Sequence, residues 1–222
     1  MEYSEVKFAI ESGDHLSKEA MAVSIFSTLN RYTCRKFQNA KDVPPDFIPC
    51  GSVEWCETIL GKHVVPDYYP SFLQEHLHRK IWQTTTWPIG EHVFIKPSDR
   101  YKRFTGFVTN GGYRKKKKGP YWCSNVVKFE NEWRYYVSNG KVLTGEWYSG
   151  DEEGTPDAPQ LEITLPDGYC GALDFGMAIF ADYKVLTLVE ANHPFACGWY
   201  GKKHDLYAQW IIDGWNYVLK NI

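Results

Sequence analysis

The chain has 222 residues, 43% hydrophobic, 16% aromatic and 23% charged, with a formal net charge of −2. Such length and apolar content supply a real core, for one large domain or two small ones. Near-neutrality excludes a global field that would recruit nucleic acid or an acidic membrane, so any such binding has to come from a local patch.

In chain order, the first 75 residues read as a helix-containing region. Met21, Ile25 and Leu29, with Ala22 and Phe26, give an apolar stripe at helical spacing after the start signals Asp14 and Ser17. Prolines follow: "DVPPDFIPCG" and "VVPDYYPS" bracket a short helix predicted around Ser52 to Leu60, and the segment from Tyr69 begins a second unit. From "EHVFIKPSD" onward strands dominate, predicted over Val93 to Lys96, Arg103 to Thr109, Val126 to Val137, Val142 to Tyr148, Tyr169 to Ile179 and Lys184 to Asn192. Asn139-Gly140 marks a tight hairpin, because both residues tolerate positive φ. A closing helix is predicted with Tyr207, Ile211, Trp215 and Val218 on one face.

The six cysteines (Cys34, Cys50, Cys56, Cys123, Cys170, Cys197) contain no C-x-x-C pair. Their scatter argues against a zinc site or a disulfide-stapled scaffold and predicts free thiols in a reducing compartment. "MEYSEVKFAI" lacks a basic segment followed by an apolar run, and no window approaches 18 apolar residues, so a soluble cytoplasmic protein is expected.

Three constellations could carry chemistry. The first is "LTLVEAN". In a strand Leu186, Leu188, Glu190 and Asn192 share a side, so an apolar face turns polar. Paired with "YCGALDFGMAI" through a three-residue loop centred on Asp182, the strand sets Glu190 opposite Asp174. Opposed β-carbons lie roughly 4.5–5.5 Å apart, and like charges there need compensation. A divalent cation would provide it, with the Asn192 amide as a neutral oxygen ligand. Glu190 and Asn192 are about 6.6 Å apart along the strand, suited to two ions about 4 Å apart. The bland alternative is a solvated strand end, and a two-residue loop would break the pairing.

The second is "VFIKPSDRYKRFTGFV". Lys96 within an apolar strand either meets an anion, with "SDRYKRFTG" as a polar cover for phosphates, or reaches solvent from an edge strand that Pro97 terminates. The third is "VVKFENEWRYYV", where Glu132, Arg134 and Tyr136 share one face and Trp133, Tyr135 and Val137 the other. A carboxylate and a guanidinium so placed form a structural ion pair, or hold a ribose and a phosphate.

Taken in order, "FIKP", "VVKFENEWR", "ALDFG" and "LVEAN" resemble the ATP-grasp superfamily, and more closely its compact bacterial and viral clade with the run K-P…F-T-G…E-W-R…D-x-G…E-x-N. The resemblance covers about residues 76–222. It implies an α+β fold of two subdomains sandwiching the nucleotide, hinged near 126–131 and preceded by a small α/β pre-grasp region over 1–75. It also implies that Lys96 contacts ATP phosphates, that backbone around Lys128 and Phe129 supports adenine, and that Glu132 binds ribose hydroxyls. Asp174, Glu190 and Asn192 match magnesium ligands. Arg134 matches the clade's arginine after E-W, a candidate to hold the transferred phosphoryl group or the acyl phosphate, and Arg79 in "HLHRKIW" resembles an arginine standing where many relatives use a first lysine. The glycine-rich phosphate loop is reduced to "SDRYKRFTG", and no arginine precedes Asp174.

The function implied is Mg-ATP-dependent joining of a small-molecule or peptide carboxylate to an amine through an acyl phosphate, in the cytoplasm, or in a host's cytoplasm for a viral chain. Two rivals remain. The basic run Arg114 to Lys118 could bind nucleic acid or an acidic peptide, with a solvated loop or a lid over the triphosphate as its other readings; the enzyme could also be a small-molecule kinase. His76 and His78 read as surface residues and Cys197 as a buried thiol. His193 and Trp199 follow the proposed ion ligands and could shape the acceptor pocket.

Overall fold

The computed structural model describes residues 6–13, 17–99, 103–109, 118–150 and 155–221, so Asp14 lies outside the described residues. The N-terminal region is built on a short parallel sheet of β1 (Lys7–Glu11), β2 (Thr33–Phe37) and β3 (Ile48–Cys50), ordered β2-β1-β3. None of these strands was among those expected. They are three to five residues long, and the exposed charges of β2 hide any period-2 pattern.

Two helices serve this sheet. In α1 (Lys18–Asn30), Ser17 Oγ accepts from the Ala20 N–H at 3.1 Å, as a helix start requires. The expected stripe divides: Met21, Ile25 and Leu29 are exposed, whereas Ala22 is buried with Ala20, Val23 and Ser27. Small residues let α1 approach its neighbours closely, and Phe26 packs on the edge of the same core. The helix α2 (Val53–Leu60) matches its expected bounds, with Ser52 as N-cap and Gly61 at φ 75° terminating it.

Two antiparallel sheets follow. One orders β4 (Ile81–Thr84), β7 (Tyr121–Asn125), β5 (Val93–Pro97) and β6 (Phe107–Val108) as β4-β7-β5-β6. The strand expected over Arg103 to Thr109 shrinks to the two residues of β6, while β4 and β7 were not anticipated. The other orders β8 (Lys128–Ser138), β9 (Lys141–Gly150), β10 (Gly171–Ile179) and β11 (Lys184–Asn192) as β11-β10-β8-β9. Only Val126 and Val127 separate β7 from β8, so the expected hinge is the passage between the sheets. The β8–β9 turn has Asn139 at φ 49° and Gly140 at φ 74°, and Ser138 pairs with Lys141.

The last helix, α3 (His204–Asn221), buries Tyr207, Ile211, Trp215 and Val218 as its spacing predicted. It turns back onto the N-terminal region. Its first half shares a core with Phe8, Ile10 and Val23; its second half joins Ala9, Phe47 and Trp55 on the other side of the parallel sheet. A β-carbon on Gly214 would collide with the Pro194 carbonyl, so this glycine permits the contact between α3 and the segment following β11. Gly214→Ala should therefore lower stability by about 1–3 kcal/mol in urea unfolding, although alanine is the better helix former by about 1 kcal/mol; a stabilised variant would contradict this packing.

Candidate active site

One row of side chains crosses the second antiparallel sheet: Glu146 on β9 pairs with Arg134 on β8, Arg134 with Asp174 on β10, and Asp174 with Glu190 on β11. The expected opposition of Asp174 and Glu190 is present, but not by the expected route. Ile179 pairs with Lys184, so the loop spans Phe180 to Tyr183 and by itself would set Asp174 against Val189. A β-bulge at Val189 adds one residue to β11: Phe175 pairs with Leu188, yet Asp174 pairs with Glu190.

The bulge also corrects the face assignment. Leu186, Leu188 and Ala191 pack in one core with Leu173 and Phe175, so the apolar side changes parity at Val189. Glu190 and Asn192 share the opposite side with Asp174, and the face does not run from apolar to polar. Likewise Trp133, Tyr135 and Val137 enter that core, while Tyr136 enters the core of the N-terminal sheet.

Cations already meet the carboxylates. Arg134 Nε and Nη2 donate to Asp174 Oδ1 and Oδ2 at 2.7 and 2.8 Å, a bidentate fork. Lys96 crosses from β5, donates from Nζ to Glu190 Oε2 at 2.6 Å, and lies over the Tyr68 ring at 3.6 Å and the Tyr69 ring at 4.8 Å. It is 7% exposed, so it meets an anion and does not reach solvent. Asn192 Nδ2 bridges Asp174 Oδ2 at 3.1 Å and Glu190 Oε1 at 3.3 Å. Burial pushes Asp174 up to about 6 despite Arg134, with Glu190 and Glu132 adding to the rise. Burial also opposes ionisation of Glu190, but Lys96 and Asn192 outweigh it and hold the carboxyl below its usual value.

This cluster fits a hard divalent cation. Two facing carboxylates and an adjoining carboxamide supply oxygen, and Glu190 is now held by a positive charge. Among the described residues no three His, Cys, Asp or Glu side chains form a metal-binding group, so the set depends on Asn192, whose amide would turn to present its oxygen.

Beside the cluster, between the antiparallel sheets, is a cavity of about 310 Å³ lined by Arg79, Phe129, Glu132 and Glu190 together with Val126 and Val127, which link β7 to β8. Four expected site residues thus converge on one space of ligand size. The absence of a side chain on Gly176 lets the Phe129 ring lie against β10. The Lys128 side chain is exposed and lines no part of the cavity. Arg79 borders it but spends Nη1 on the Leu77 and Leu188 carbonyls at 3.2 and 2.6 Å and Nη2 on the Val189 carbonyl at 3.0 Å.

Sequence reasoning missed an aromatic wall. Tyr148 on β9 donates its hydroxyl to Glu132 Oε2 at 2.6 Å, where burial raises the carboxyl pKa. The rings of Tyr148 and Tyr200 stack at 5.3 Å and flank the Arg134 guanidinium at 5.6 and 5.4 Å. Two further bulges between β8 and β9 displace Tyr148 from the position the Asn139-Gly140 turn alone would give it. His193 and Trp199 are both buried. His193 stacks on Phe195, and Cys197 Sγ donates to the His193 carbonyl at 3.3 Å. His76 is half-buried against Phe175, not a surface residue. Arg100, Tyr101 and Lys102 of "SDRYKRFTG" lie outside the described residues, as do Arg114 to Lys117; Arg103 ties itself to Asp99 and to the Gly119 and Pro120 carbonyls.

Comparison with known proteins gives a consistent result. A family described as an ATP-grasp domain, the second family of its clade, matches residues 76–210. The fold is similar to a RimK domain ATP-grasp protein from Sphaerobacter thermophilus, at 14% identity and TM-score 0.54, covering 94% of this chain and 99% of that one. It is also similar to N5-carboxyaminoimidazole synthetase from Staphylococcus aureus, at 8% identity and TM-score 0.52, covering 96% and 80%. No curated protein sequence matches.

Removing one member of the buried pair should cost far more than removing both. Arg134→Met is expected to lose about 3–5 kcal/mol in urea unfolding, and Arg134→Met/Asp174→Leu to regain most of that loss. Equal losses in the two variants would contradict a paired, desolvated Asp174.

Proposed function

This chain belongs to the ATP-grasp superfamily, and on that premise we propose that it is an Mg-ATP-dependent ligase joining a carboxylate to an amine through an acyl phosphate. The observation that carries this reading is the meeting of Asp174, Glu190 and Asn192 with Lys96 and Arg134 beside a nucleotide-sized cavity at the hinge. Two small α+β subdomains would close on the nucleotide over residues 76–222, with 1–75 as a pre-grasp region. The C-terminal helix is shared with that region through its cores.

Adenine would sit by Phe129 and the backbone around Lys128, with Glu132 on the ribose hydroxyls and Arg79 on the cavity wall. Asp174, Glu190 and Asn192 would hold magnesium, which when bound neutralises phosphate oxygens and favours displacement at the γ-phosphorus. Lys96 would exchange its bond to Glu190 for one to a phosphate, a change suited to a flexible ammonium. Arg134, fixed by Asp174 and flanked by Tyr148 and Tyr200, would orient the transferred phosphoryl group. The substrate carboxylate oxygen then bonds to the γ-phosphorus as the bond to the ADP oxygen breaks. The amine nitrogen attacks the acyl carbon, phosphate leaves, and the nitrogen loses its proton. No protein nucleophile is needed, in keeping with the buried Cys197.

A nucleic-acid or acidic-peptide role for Arg114 to Lys118 draws no support from the described residues, which include only Lys118. All six cysteines are free, which accords with a reducing cytoplasm. Among the described residues no helix is long and apolar enough to cross a membrane.

ATP turnover across amino acids and peptides, with mass spectrometry of products and hydroxylamine trapping of acyl phosphate, tests the reading. The wild type should give ADP and an amide, and Glu190→Gln should lower turnover by roughly 100-fold or more. A phosphorylated product with no amide would instead identify a kinase; salt-sensitive polyanion binding unaffected by Asp174→Asn would identify a binding module. Lys96→Met should weaken Mg-nucleotide binding by about tenfold or more in calorimetry.

A further inference from the structure

Arg79 does something more specific than line the cavity. Along a regular strand successive carbonyls point to opposite edges, so one side chain cannot take two neighbours in a row. Arg79 does so: it binds the carbonyls of Leu188 at 2.6 Å and Val189 at 3.0 Å, the residues on which the β11 bulge is built. A planar guanidinium with parallel N–H groups fits two carbonyls turned to the same side, and an ammonium does not. The same guanidinium binds the carbonyl of Leu77, close to its own backbone, at 3.2 Å, so the fork is anchored at its base.

The surroundings point the same way. His78, immediately before Arg79, has φ 44°, a conformation costing about 1 kcal/mol or more for a residue with a side chain, and it turns the chain just ahead of the arginine. Beyond the bulge, the Ala191 N–H donates to the Tyr68 carbonyl at 2.9 Å, so the outer edge of β11 is held on both sides of Val189. Without the bulge the loop at Phe180 to Tyr183 would set Val189, not Glu190, against Asp174.

We infer that Arg79 is a positioning residue: by clasping the bulge carbonyls it fixes the register that brings Glu190 opposite Asp174. The consequence for metal rests on the ligase reading above, but the clasp itself does not. The two roles open to an arginine here separate cleanly, since a phosphate contact depends on charge and a clasp depends on shape.

The test compares full-length wild type, Arg79→Met and Arg79→Lys by three measurements. Hydrogen exchange should show faster exchange over 186–192 in both variants while β8 keeps its protection. Unchanged exchange over 186–192 would overturn the clasp. Mn²⁺ affinity with saturating ADP, read by electron paramagnetic resonance, should fall by about 10–100-fold in Arg79→Met without rescue by lysine. Any loss of ADP affinity in chelator should be the same in Arg79→Met and Arg79→Lys, because the clasp is lost in both while the charge is kept in one. A tenfold loss of metal-free ADP binding that lysine restores would make Arg79 a phosphate contact and overturn the inference. Should Arg79→Met fail to fold, Arg79→Lys, which keeps the charge on a single nitrogen without the planar fork, decides by the same measurements. Wild type that binds no Mn²⁺ with ADP would remove the ligase reading, and the exchange result would still judge the clasp.

Discussion

Two carboxylates set face to face in a desolvated interior cannot both remain ionised unless cations reach them, and most of this site answers to that constraint. Asp174 takes a bidentate guanidinium from its own sheet, and Glu190 takes an ammonium from the other. The two antiparallel sheets are thereby joined by an ion pair at the place where the cavity opens. Arg134 also lies against the stacked rings of Tyr148 and Tyr200, and Lys96 against Tyr68 and Tyr69. The site is internally balanced: Lys96, Arg79 and Arg134 stand against Asp174, Glu190 and Glu132. On the function proposed above, a polyphosphate with its own metal ions would exchange partners with this set.

Much of this was legible in the residues themselves. Helix α2 follows from Ser52 and Gly61, the β8–β9 turn from Asn139-Gly140, and the buried face of α3 from its 3.6-residue period. The motifs "FIKP", "EWR", "ALDFG" and "LVEAN" located side chains that the fold brings together from four different strands. The parts that were hidden have identifiable physical causes. A β-bulge changes side-chain parity without any mark in composition, and Val189 shows how two displacements can cancel: a longer loop and an inserted residue together leave Asp174 opposite Glu190. The buried side of α1 was only half legible, through Ala22 and Phe26, because close packing there selects alanine and serine over the larger Met21, Ile25 and Leu29. Tyr148 lay beyond reach since its position depends on irregularities between β8 and β9.

Two departures from regular backbone lie where chemistry is expected. The bulge residue Val189 lines the cavity, the left-handed His78 immediately precedes Arg79, and Arg79 connects them. Regular strands on either side supply the rigidity, and the departures from regularity aim the polar groups. The two-residue link at Val126 and Val127 adds little bulk between the sheets, which Lys96 crosses to reach Glu190.

The course of α3 bears on how the protein is made. Because its two halves cover opposite sides of the parallel sheet, the apolar side chains of β1 and β3 lack their partners until residues 204–221 have left the ribosome. At about 5–20 residues per second that interval lasts on the order of 10–40 s, long enough for exposed Phe8, Phe47 and Trp55 to engage a chaperone. Strands β1 and β3 are thus sealed only once the later α3 is in place.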